Sequence, residues 1–78
     1  MNPITKPEQG IDREAVLRSL DQLSDYIEEL DVIVEGSRIV VTGFVYDFFM
    51  KFWVSMNLNN AFSEMNIENN LDVQSRNA

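Results

Sequence analysis

A glycine–serine pair set between two β-branched runs constrains this 78-residue chain more than any other feature. Asp31-Val-Ile-Val-Glu35 precedes Gly36-Ser37, and Arg38-Ile-Val-Val-Thr-Gly-Phe-Val45 follows it. Two such runs joined by two residues form a hairpin with a type II′ turn, Gly36 supplying the positive φ of the first turn position. A two-residue turn leaves no freedom of register: Glu35 faces Arg38, Val34 faces Ile39, Ile33 faces Val40 and Val32 faces Val41. Alternation then collects Val32, Val34, Ile39, Val41 and Val45 on one face. Asp31, Glu35, Arg38 and Thr42 take the other, together with Ile33, Val40 and Phe44, so that face is only half polar. Gly43 is expected either to relieve twist or to let a helix approach the strand.

Around this hairpin the periodicity changes. From Asp12 to Leu30, Val16, Leu20, Leu23, Ile27 and Leu30 recur at spacings of three and four, which predicts a helix with one buried stripe. Asp12 suits its N-cap, Glu14 its first turn, and Ile11 with Val16 a hydrophobic staple. Its predicted end is odd, because Glu28, Glu29 and Asp31 crowd the negative pole of the helix dipole. Asp47 can cap a second helix running to about Ser63, apolar nearly all round, with Lys51 its only charge before Glu64. Ile67 to Val73 alternates as a half-buried strand: Ile67, Asn69, Leu71 and Val73 point inward, and Asn69 is expected to satisfy backbone groups there. The order is helix, strand, strand, helix, strand, an α+β fold of the two-layer αββαβ kind. Its three-stranded sheet carries both helices on one face, and the place of the third strand is left open. Residues 11–73 form the single domain, flanked by polar tails expected to be disordered at 1–10 and 74–78.

The strand Ile39-Val-Val-Thr-Gly43-Phe-Val45, a helix after it, and Ile67-x-Asn69-x-Leu71-x-Val73 together resemble the BON domain, named for bacterial osmotic-stress and nodulation proteins. The likeness runs from about Asp12 to Val73. It implies an αββαβ fold and a non-enzymatic binding role, often at membranes or phospholipid of the bacterial envelope.

Chemistry is sparse. The chain has no cysteine and no histidine, so it lacks the thiolate, the commonest metal ligand and the usual neutral-pH base. A serine nucleophile would have no such base beside it, and sixty ordered residues cannot easily build the cleft that paired carboxylates need. No enzyme, metal or cofactor is expected. Thirteen acidic against six basic residues give a net charge of −7, which opposes nucleic acid and anionic bilayers. The N-terminus does not read as a signal peptide and no run is long enough to span a bilayer, so a cytoplasmic protein is expected, with the envelope the alternative if this sequence is part of a longer chain.

Two features could bind a partner. Phe48-Phe49-Met50-Lys51-Phe52-Trp53 spans more than a helical turn, so its rings cannot all point inward. At helical spacing Phe49, Phe52 and Met56 can face the sheet, and Trp53 with them. Phe48, Phe49, Met50 and Trp53 are the candidate interface, with Ile33, Val40 and Phe44 a smaller patch on the sheet. Asp21, Asp25, Glu28 and Glu29 would share one face of the first helix, either as a solvated surface or as a strip for a basic partner. The leading expectation is a protein-binding module that docks a partner, or a second copy of itself, on the aromatic helix. The alternatives are a membrane-associating BON module and a phage-type inhibitor whose acid strip occupies a basic nucleic-acid-binding surface.

Overall fold

The structure is a computed structural model that describes residues 11–74; the expected tails, apart from Gln74, lie outside them. The elements are α1 (Arg13–Ser19), a 3₁₀ turn (Ser24–Tyr26), β1 (Glu28–Glu35), β2 (Arg38–Val45), α2 (Phe48–Ala61) and β3 (Asn66–Val73). The fold is α+β, with a three-stranded mixed sheet in the order β1-β2-β3. β1 and β2 are antiparallel with the register that the turn demands, and Gly36 has φ 58°. β3 lies parallel to β2, Ile39 opposite Ile67 and Val45 opposite Val73. A parallel pair needs a crossover connection, and α2 provides it.

Both helices contribute to one core. Val16 and Leu20 from the first helical segment, Val54 and Leu58 from α2, and Val32, Ile39, Val41, Val45 and Leu71 from the sheet are all fully buried. This core is aliphatic; among the aromatic residues only Phe62 packs at its margin.

α1 is much shorter than its periodicity suggests. It ends at Ser19, and Leu20 to Ile27 descend through successive tight turns: Leu23 N–H donates to the Leu20 carbonyl (2.9 Å), Tyr26 N–H to Leu23 (3.0 Å) and Ile27 N–H to Ser24 (3.2 Å). Asp21, Ser24 and Asp25 are weak helix formers whose side chains compete for backbone groups, and Ser24 Oγ donates to the Asp21 carbonyl (3.0 Å). Ending early also takes Glu28 and Glu29 off a helix C-terminus, where the dipole opposes them, and gives them to β1. The spacing of Leu23 and Ile27 still serves the core, since a tight coil of turns carries them to the same side.

β1 gains its first residues through a β-bulge. Glu28 stands opposite Phe44 and Asp31 opposite Thr42, so Glu29 and Leu30 together oppose Gly43. Glu29 takes φ 55°, and Gly43 φ 140°. The backbone that approaches Gly43 is therefore this bulge, not a helix.

Candidate protein interface on the second helix

The side chain of Asp47 caps α2 by accepting the Phe49 N–H (2.8 Å). Within the helix, Met50, Val54 and Leu58 follow at steps of four and turn toward the sheet, with Phe62 just past the end. The expected inward set of Phe49, Phe52 and Met56 is overturned: these residues are 68%, 51% and 48% exposed. A polar lock explains the rotation. Asn69 of β3 donates through Nδ2 to the Lys51 carbonyl (2.8 Å) and to Ser55 Oγ (2.8 Å). Its Oδ1 accepts the Leu71 N–H (3.1 Å), and Lys51 Nζ donates to the Leu71 carbonyl (2.7 Å). Turning the helix to bury the rings would pull Lys51 and Ser55 off β3 and orphan these half-buried groups. We expect Asn69→Ala to lower stability by about 1–3 kcal/mol, measured by urea unfolding. A loss within a few tenths of a kcal/mol of that from mutating a solvent-facing asparagine such as Asn60 would mean that the lock is not what orients the helix.

With the aliphatic stripe turned inward, the opposite side of α2 carries Phe49, Phe52, Trp53 and Met56 at helical spacing, with Phe48 at their margin. Phe48 and Trp53 are 66% and 58% exposed. Met50, expected in this surface, is instead half-buried against the core. Phe52 and Met56 join Phe48, Phe49 and Trp53 on this surface although the sequence does not place them in the candidate interface. The signal for them was polar: Lys51 and Ser55 are one step of four apart and need partners on the sheet side. No charged side chain interrupts the stripe, because Lys51 is drawn away to Leu71.

The sheet patch is smaller than expected. Ile33 is exposed, but Val40, in the central strand between Ile33 and Glu68, is buried, and Phe44 is half-buried. Arg38 spans this face by pairing with Glu35 (2.9 Å) and Glu68 (3.2 Å). The acidic strip does not exist as a helix face: Asp21 lies in a turn, Asp25 in the 3₁₀ turn, and Glu28 and Glu29 in β1. Asp25 and Glu28 instead line a hollow of about 440 Å³ with Tyr26, Tyr46, Asp47 and Met50, at the start of α2.

Both sheet edges are partly closed. On β1, the outward carbonyl of Val32 accepts Arg13 Nε (3.1 Å) and its N–H donates to Asp31 Oδ1 (3.0 Å). The hydrogen bonds from Arg13 (3.0 Å) and from the Val32 N–H hold the Asp31 carboxyl below its ordinary pKa. On β3, Leu71 is closed by Asn69 and Lys51. Such plugs discourage strand-to-strand pairing with another chain.

Among the described residues, no three of Asp and Glu stand together as metal ligands, and no helix is long and apolar enough to cross a membrane. No family model, no curated protein and no solved structure matches this chain.

Proposed function

We propose that this chain is a small, non-catalytic, cytoplasmic protein-binding module that docks its ligand on the outward stripe of α2. One observation carries the reading: five large apolar side chains, Phe48, Phe49, Phe52, Trp53 and Met56, lie about half to two-thirds exposed on one side of a single helix. Phe and Trp bury roughly 150–250 Å² each when covered, so this stripe offers on the order of 500 Å² of apolar surface. That is at the upper end of what a free monomer shows, and aromatic residues with Met are the types enriched at the centres of protein interfaces. A membrane-surface role has less support, because among the described residues the basic side chain of α2, Lys51, is drawn to the Leu71 carbonyl and away from the stripe, and the net charge of −7 opposes anionic headgroups.

The test is site-specific photo-crosslinking in the cells that make the protein. A photoreactive phenylalanine analogue at position 53 should give covalent protein adducts, while the same probe at exposed Asn70, on the far side of the sheet, should give few. Equal or absent adducts from position 53 would defeat the proposal.

A further inference from the structure

We infer that the occupant of the α2 stripe is a second copy of this chain, docked helix to helix about a two-fold axis. The inference rests on the reading of α2 as a protein-binding surface and names its partner. The first argument is electrostatic. Each of the four Lys and Arg side chains among the described residues is already engaged: Arg13 with Asp31, Arg18 with Glu14, Arg38 with Glu35 and Glu68, and Lys51 with the Leu71 carbonyl. The net charge is −7, so among the described residues an acidic face set against its own copy would bring carboxylates together with every cation already paired. The α2 stripe is different. It carries no charge, so meeting its own copy buries no ion and sets no two carboxylates in direct contact, leaving only the screened repulsion of the two net charges.

The second argument is area and shape. A two-fold contact buries the same patch on both sides. Two copies of the stripe cover on the order of 1,000 Å² from five side chains each, and the exposed Asn59 and Asn60 beyond Met56 extend this toward the roughly 1,200 Å² at which specific interfaces begin. Phe49, Phe52, Trp53 and Met56 fall at i, i+3, i+4 and i+7, the spacing that lets one helix lie along another. The third argument concerns the alternative route. Self-association by strand addition meets Arg13 and Asp31 at one sheet edge and Asn69 and Lys51 at the other.

Trp53 is the sole tryptophan and sits in the middle of the stripe, so it reports directly on the contact. Light scattering of the purified full chain should give twice the 9.0 kDa of one chain at high concentration. Dilution should return it to a single chain, with Trp53 emission moving to the red in parallel. Trp53→Asp should weaken the dimer by roughly two to three orders of magnitude in dissociation constant, as removal of a central interface residue does. Because Trp53 is more than half exposed, that variant should keep the far-ultraviolet circular dichroism of the parent. Ile33→Asp, on the other face of the sheet, should leave the dimer intact. A single-chain mass at every concentration with unchanged emission overturns the inference, and so does an assembly broken by Ile33→Asp and spared by Trp53→Asp. If the mass is that of one chain while position 53 crosslinks to other proteins, this inference falls and the reading of α2 as a binding surface stands. Absence of adducts from position 53 defeats both.

Discussion

Leu58→Ala should cost this fold about 2–5 kcal/mol, whereas Phe49→Ala, on the same helix and removing a larger side chain, should cost a dilute sample no more than about 0.5 kcal/mol. The contrast follows from position alone. Leu58 is fully buried among aliphatic side chains from both layers, and Phe49 is 68% exposed. Truncating Leu58 removes apolar contact and leaves a cavity that neighbours close only in part. A chain of this size has on the order of 5 kcal/mol of stability in total, so Leu58→Ala should be left with no more than about 3 kcal/mol and a much lower urea midpoint. Phe49 becomes costly only when its face is covered. At high protein concentration, association adds to apparent stability by mass action, and Phe49→Ala should then lose more than it does in dilute solution. Urea unfolding at two protein concentrations measures both. Equal losses for the two variants in dilute solution would show that the ring belongs to the core as much as the leucine does, and would overturn its placement on the surface.

That contrast also marks what could be read in the residues beforehand. The hairpin was fully legible, because a two-residue turn at Gly36-Ser37 fixes every cross-strand pair from Val32 to Arg38. Both N-caps are legible as well, since Asp12 opens the stripe that begins at Val16, Asp47 precedes an apolar run, and each accepts a helix N–H. The rotation of α2 was not. Its sequence holds two apolar stripes, Met50-Val54-Leu58 and Phe49-Phe52-Met56, and hydrophobicity favours the larger rings. What decides between them is polar and distant in sequence: Asn69 reaches Lys51 and Ser55 across 18 and 14 residues. The end of α1 is hidden for the opposite reason. Spacings of three and four suit a helix, but a string of tight turns delivers Leu23 and Ile27 to the core equally well, and the acid crowding near Glu28 was the warning against a helix. The third strand's neighbour depends on a crossover that no local pattern encodes. As for the site, exposure of Phe48 follows from helical geometry, which leaves Met50 and Trp53 as alternatives, while Phe52 and Met56 are hidden by the rotation of α2. The sheet patch shrank to Ile33 because Val40 stands in the central strand, which only the placement of β3 reveals.

Gly43→Ala should destabilise the protein by about 3–5 kcal/mol, several times the loss expected from Gly36→Ala. Both glycines have positive φ, 140° and 58°, so strain alone does not separate them. Space does. A Cβ at Gly36 meets nothing within 4 Å, and the change there costs about 1–2 kcal/mol for a left-handed residue. A Cβ at Gly43 would stand 2.8 Å from the Glu28 carbonyl oxygen, 3.1 Å from that of Glu29 and 3.2 Å from Ile27 Cγ2. Two of the three are backbone atoms of the bulge, which cannot swing aside as a side chain would. Relief requires β1 to move away from β2, and that undoes the pairing of Glu28 with Phe44 and disturbs Ile27, a core residue. The damage should therefore be local as well as global. Hydrogen exchange in Gly43→Ala should speed up first at the bulge, between Ile27 and Asp31, while the turn end of the hairpin near Glu35 and Arg38 stays protected until the whole domain opens. If Gly43→Ala and Gly36→Ala shift the urea midpoint equally, or if protection is lost evenly along both strands, the close approach of the bulge is not what demands glycine at this position.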